Sequence, residues 1–145
     1  MPVRLLDVNV LLALAWPMHQ HHRAAHEWFT HNSLQGWATC PMTQCGFARI
    51  SLNSKLITFN QTAANVVVAL ETLIRHSHHT FWPDDISVLH PLIQLSRLQG
   101  HRQTADAYLL GLSLHHKGQL ATFDAGILSL ATTSEQRNAI VLIPT

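Results

Sequence analysis

Only eight carboxylates occur in the 145 residues, at Asp7, Glu27, Glu71, Asp84, Asp85, Asp106, Asp124 and Glu135, so the position of each carries information. Asp7 directly follows the apolar run Arg4-Leu5-Leu6, and Asp124 directly follows Leu120-Ala121-Thr122-Phe123. Both runs read as strands, and the chain beyond each reads as a helix. In open parallel sheets that junction is where ligands bind. It is also where an aspartate caps a helix, a role worth about 1 kcal/mol, so either residue alone fits capping as well as chemistry. Asp106 shifts the balance, because it lies in a segment, 105–114, that is apolar on nearly every side. A carboxylate there is costly unless it is paired, hydrogen-bonded or holding a cation. Its plainer reading is a first-turn acid favoured by the helix dipole. Three acids at element boundaries inside apolar segments point together to a shared cation site.

The elements that must position these acids alternate along the chain. A strand over Val3 to Leu6 leads through Asp7 into an apolar helix from Val8 to Trp16, stopped at Pro17. A second helix covers His21 to His31 with Ala25, Trp28 and Phe29 inward, and Gly36 to Cys40 reads as a second strand. Pro41 opens a helix that runs on through Gly46, Phe47 and Ile50. From Asn60 to Ser77, apolar residues recur at spacings of three and four, the clearest amphipathic helix in the chain. Phe81 to Leu89 is a strand or loop, Leu92 to Leu98 a short helix, and Thr104 to about His116 a longer one. The strand Gln119 to Phe123, a short helix through Ala131 and a last strand over Ala139 to Ile143 complete the series. Apolar strands alternating with helices predict an α/β fold with a mostly parallel central sheet flanked by helices.

Composition bounds the rest. A chain of 145 residues with 47% apolar content is long enough for one sizeable core, which predicts a single domain over residues 1–145. No stretch approaches the roughly 18 apolar residues of a membrane span, and a soluble, cytoplasmic protein is expected. Cys40 and Cys45 form no CxxC pair and read as buried inert thiols in a reducing compartment. Charged residues make up only 12% and net to +1, so no basic tail or stripe advertises nucleic acid. Any grip on a phosphate backbone must come from bound metal and a few local cations. Arg49 and Arg102 are candidates for that contact, and solvated or dimer-rim charge explains them at least as well.

Four segments carry a resemblance. They are 5–14, Thr39-Cys40-Pro41-Met42-Thr43-Gln44-Cys45-Gly46-Phe47-Ala48-Arg49-Ile50, Asp106-Ala107-Tyr108-Leu109-Leu110 and Leu120-Ala121-Thr122-Phe123-Asp124. In order and spacing they strongly resemble PIN-domain proteins of the VapC toxin type, from end to end of the chain. The resemblance implies an endoribonuclease dependent on Mg²⁺ or Mn²⁺, usually dimeric and held inactive by a cognate VapB-type antitoxin. It also implies structured RNA substrates such as tRNA or rRNA, and products with 5′-phosphate and 3′-hydroxyl ends. Asp7, Asp106 and Asp124 fall on three of the family's four acidic positions. The fourth, normally Glu, falls on Gln44, whose amide oxygen can ligate a hard cation without supplying negative charge. Ala105 stands where many relatives have a hydroxyl residue.

Hydrolysis of a phosphodiester needs an activated water and neutralisation of charge on the phosphoryl oxygens, which carboxylate-held cations supply. Asp7, Asp106 and Asp124 are therefore assigned as catalytic metal ligands, directly or through water, with Gln44, Asn9 and Thr122 as groups that orient them. Backbone capping explains Asn9 and Thr122 as well. Two rival readings stand beside this one. A Rossmann-like nucleotide site would need a glycine-rich loop where Asp7-Val8-Asn9 stands. A catalytically weakened PIN-like module that binds RNA or protein would follow if Gln44 cost the site its metal. Twelve histidines invite a zinc hypothesis at His19, His21, His22 and His26, which a solvated helix face explains more simply. His76, His78 and His79 fit a helix C-terminus.

Overall fold

The computed structural model describes residues 2–53 and 61–145. Five short strands, β1 (Arg4–Leu6), β2 (Trp37–Thr39), β3 (His79–Phe81), β4 (Gln119–Thr122) and β5 (Ile140–Leu142), form one sheet in the order β3-β2-β1-β4-β5. Every neighbouring pair is parallel. The chain builds outward from β1 to β3, then crosses back to continue through β4 and β5. That reversal lies between β1 and β4, the topological switch point where doubly wound sheets place their ligands.

Among the described residues six helices cover the sheet: α1 (Val8–Ala15), α2 (His22–Asn32), α3 (Pro41–Ser51), α4 (Ala63–Ile74), α5 (Thr104–His115) and α6 (Ser134–Asn138). Strand side chains alternate between faces, and the alternation sorts the core. Leu6, Trp37 and Ala121 pack with α1, α2 and α4 on one face; Leu5, Ala38 and Leu120 pack with α5 on the other. A central strand buried on both faces has to be apolar at successive positions, and Leu5 and Leu6 are both fully buried. The same demand explains α5, which buries residues from Ala107 to Ser113 without a polar stripe. Trp16 closes the end of α1 onto α3, stacking on Phe47 at 5.8 Å and donating from Nε1 to Ser51 Oγ at 2.8 Å. Gly46 lets α3 approach α1, since a Cβ there would lie 2.6 Å from Val8 Cγ2. Gly36, at φ 98°, turns the chain into β2.

Several local expectations are corrected. Of the two readings for Phe81 to Leu89, the loop holds from residue 82 onward, and the neighbouring strand is His79–Phe81, whose pairing with β2 begins opposite Trp37. His79 therefore opens a strand and does not cap α4, which ends at Ile74. The start expected for that helix at Asn60 lies outside the described residues. Leu92 to Leu98 holds only a 3₁₀ turn over Leu95–Arg97, and the helix after Asp124 is likewise 3₁₀, over Ala125–Leu130. Cys40 is buried as expected, whereas Cys45 is exposed on α3. Helix α6 has no counterpart among the expected elements, although Thr133 and Gln136 close a capping box at its start.

Candidate active site

The main chain of Asp7 is tied across the switch point, its N–H donating to the carbonyl of Ala121 at 3.0 Å. Its side chain caps α1, with Oδ1 accepting from the Val8 N–H at 2.7 Å. The other oxygen, Oδ2, accepts from Thr122 Oγ1 at 2.7 Å. Asp7 is buried, at 7% relative exposure. Capping alone does not account for an aspartate there, because Ser or Asn caps as well without the cost of burying a charge. Burial pushes the Asp7 carboxyl above its usual range; the bonds from Thr122 and Val8 oppose this, and the charge of Asp124 adds to the upward push.

Thr122, at the last position of β4, is fully buried and serves as a hub. Its Oγ1 donates to Asp7 and accepts from Asn9 Nδ2 at 3.1 Å and from the Asp124 N–H at 3.1 Å. Asn9 Oδ1 in turn lies 3.3 Å from the Phe123 N–H, which donates to it. One hydroxyl and one amide thus lock the exits of β1 and β4 together. Asp124 caps the 3₁₀ segment that follows, accepting from the Gly126 N–H at 2.8 Å, and its side chain faces solvent.

Asp106 reaches the same place from the first turn of α5, on the opposite face of the sheet. It is half-buried, and among the described residues no hydrogen bond or ion pair reaches its carboxyl. Burial, then the charge of Asp7, then that of Asp124, raise its pKa from 3.8 to about 6. The three aspartates therefore feel one another's charge. Gln44 stands in the first turns of α3, beyond the carboxyl end of β2, and its Nε2 donates to Thr39 Oγ1 at 3.0 Å. Thr39 Oγ1 also lies 2.8 Å from His79 Nε2.

This donor set suits a hard divalent cation by chemistry and charge. Three like-charged carboxylates, one half-buried without a donor, are mutually destabilising until a cation neutralises them. Their oxygens do not all lie within 4.8 Å of one another, so a cation among them would be held partly through its own waters. Among the described residues the one group of His, Cys, Asp or Glu that meets that spacing is Asp85, His115 and His116, at the other end of α5. Sequence reasoning passed over those three; adjacent histidines at a helix end were the available signal.

On α2, His26 is exposed as a solvated face requires and His22 is half-buried, yet both rings also reach α1. His22 Nδ1 lies 2.7 Å from the Ala13 carbonyl and His26 Nε2 2.9 Å from that of Leu14. These are carbonyls in the last turn of α1, where helical partners run out. Arg49 and Arg102 are exposed.

The raised Asp106 pKa has a consequence for stability. A folded-state value near 6 against an ordinary 3.8 means that the folded protein binds this proton more tightly, so ionised Asp106 weakens the metal-free fold above about pH 6. In EDTA at pH 7.5, Asp106→Asn is expected to unfold at a higher urea concentration than the parent. That advantage shrinks as pH falls through 6 and is gone near 4. A variant less stable than the parent at pH 7.5 would show that the half-buried carboxylate is compensated by groups other than a cation.

A sequence profile of the PIN domain matches residues 4–132. Similar chains include ribonuclease VapC39 of Mycobacterium tuberculosis, 43% identical over 133 residues that cover 88% of this chain and 93% of that protein. Ribonuclease VapC38 of the same organism is 44% identical over 88% of this chain and 89% of its own length. Ribonuclease VapC29 is 40% identical over 97% and 96%. The matched span contains both strand exits, the first turn of α5 and the hub at Thr122, and the chain belongs to the PIN-domain family, in its VapC branch.

Proposed function

We infer that the chain is the toxin of a type II toxin–antitoxin pair, an endoribonuclease that hydrolyses RNA phosphodiester bonds with Asp7, Asp106 and Asp124 as its catalytic metal ligands. The observation that supports this reading is that Asp7 and Asp124 follow neighbouring strands at the β1/β4 switch point and their charges bear on Asp106, in a chain 40–44% identical to ribonucleases. The cation they would hold is Mg²⁺ or Mn²⁺, which activates water and neutralises charge on the phosphoryl oxygens when bound. Thr122 and Val8 fix the Asp7 carboxylate in one orientation, and Asn9 holds Thr122 in place. Asp124 stands on the exposed side of the site, while Asp106 closes it from α5. Gln44 supplies a neutral amide where a fourth acid would stand.

Structured RNA, tRNA or rRNA, is the substrate class of this reading, with 5′-phosphate and 3′-hydroxyl products. A VapB-type antitoxin, a homodimeric state and a cytoplasmic location belong to it as well. No helix among the described residues is long and apolar enough to cross a membrane. Inducing the chain without an antitoxin, and sequencing RNA 5′ ends afterwards, tests the proposal. Growth arrest with a discrete set of new 5′-phosphate ends is expected, and both should vanish for Asp7→Asn. Identical growth and identical ends for parent and variant would overturn it.

A further inference from the structure

We propose that Asp85, His115 and His116 form a second metal site, separate from the aspartate cluster, that takes a borderline divalent ion of the Zn²⁺ class and staples the segment after β3 to the C-terminal end of α5. Asp85 Oδ1 lies 3.4 Å from His115 Nε2 and 3.2 Å from His116 Nε2, and one ligand atom from each residue falls within 4.8 Å of the others. Tetrahedral bonds of about 2.0–2.1 Å place neighbouring ligand atoms about 3.3 Å apart, so both carboxylate–imidazole spacings already match.

An ordinary ion pair explains the cluster less well. His116 Nε2 is shielded from solvent and has no hydrogen-bond partner despite its closeness to Asp85, so distance is satisfied and alignment is not. His115 Nε2 likewise lies 3.4 Å from the carboxylate without a hydrogen bond to it. Two imidazole nitrogens and a carboxylate oxygen gathered this closely, with no hydrogen bond at the shielded nitrogen, form an arrangement an ion can fill. A buried nitrogen left unpaired otherwise costs about 1–3 kcal/mol.

The surroundings hold the ligands in place. Trp82, buried, stacks on the His116 ring at 4.6 Å and 15°, fixing its plane. The His90 ring packs edge-on against His115 at 5.8 Å, its Nδ1 occupied by the Leu92 N–H. His115 is the last residue of α5 and His116 its cap, where the helix dipole favours a cation. Two imidazoles and one carboxylate suit Zn²⁺, Co²⁺ or Ni²⁺ over Mg²⁺, which prefers oxygen ligands throughout. Three protein ligands leave a fourth position for water. The site is structural in its consequence, because the chain from Pro83 to Gly100 has only one 3₁₀ turn of its own and an ion would tie its start to the core.

His115 lies nine residues beyond Asp106 on α5, about 13 Å along the axis at 1.5 Å per residue. The two sites can therefore be separated by mutation. Purified chain freed of metal is titrated with Co²⁺ while the visible absorption of a low-coordinate ion is followed, and melting is measured with Zn²⁺ and with EDTA. One equivalent of Co²⁺ with that absorption is expected, together with a higher Tm in Zn²⁺. Both should be lost in Asp85→Asn and in His116→Gln, and both retained in Asp7→Asn and in the double variant His22→Gln/His26→Gln. Asp85 is exposed, so Asp85→Asn keeps the test open should His116→Gln fail to fold. The absence of the absorption in the parent, its survival in Asp85→Asn, or its loss in Asp7→Asn would each overturn the proposal.

Discussion

Asp7→Asn, Asp106→Asn and Asp124→Asn should each slow RNA cleavage about 10²–10³-fold, the scale of losing one preorganised electrostatic group, while the fold survives. The three reach that result by different routes. At position 7 an asparagine still caps α1 through its oxygen, but its amide faces Thr122 Oγ1, so the hydroxyl loses its acceptor and the hub that joins β1 to β4 is rewired. At position 106 the change removes only charge, since no donor in the described residues addresses that carboxyl. At position 124 the Gly126 N–H keeps an acceptor and the exposed side chain is solvated either way. Circular dichroism and melting temperature check the fold, and single-turnover cleavage of a purified RNA reads the rate. Folded variants that cut as fast as the parent would remove the aspartates from the site.

Gln44→Glu should lower the Mg²⁺ concentration for half-maximal cleavage by roughly tenfold. An added carboxylate close to a divalent ion, at an effective dielectric near 20, is worth more than the ~1.4 kcal/mol that makes a tenfold difference. Hydrogen bonding permits the exchange. Gln44 now donates to Thr39 Oγ1; with Glu there, the Thr39 hydroxyl can donate instead, accepting in turn from His79 Nε2 in its other tautomer. The metal-free variant carries one more like charge and should be less stable than the parent, and Mg²⁺ should stabilise it more, by mass action on the folded state. Metal titrations of cleavage rate and of Tm read the two effects separately. Coincident curves for parent and variant would place the side chain away from the cation.

The sequence shows most plainly those parts where one physical demand dominates. Strands β1 and β4 are buried on both faces, so their central positions must be apolar in succession, and an acid follows each within two residues. Helix α5 is legible for the same reason, and Asp106 stands out against it. Where several weak demands compete, the reading fails. Segment 92–98 has helical apolar spacing, but Ile93 packs against Gly111, where a Cβ would come within 2.4 Å of it, and that tertiary contact outweighs local propensity. Helix α6 is too short for periodicity, and only its Thr133–Gln136 box announces it. The histidines were the hardest to place, since a ring that caps a carbonyl, a ring that spans strands and a ring that meets a carboxylate look alike in a string of letters.

On the proposed reading, three aspartates make this chain a metal-dependent ribonuclease despite the amide at position 44. Purified parent protein, incubated with a structured RNA in Mg²⁺ and then in excess EDTA, measures it most directly, with Asp106→Asn run alongside. Cleavage in Mg²⁺ that stops in EDTA, returns when Mg²⁺ is restored and is nearly absent in Asp106→Asn is the expected result. Cleavage that persists unchanged in EDTA or in Asp106→Asn would contradict it, as would a folded parent that binds RNA yet leaves it intact at every Mg²⁺ and Mn²⁺ concentration.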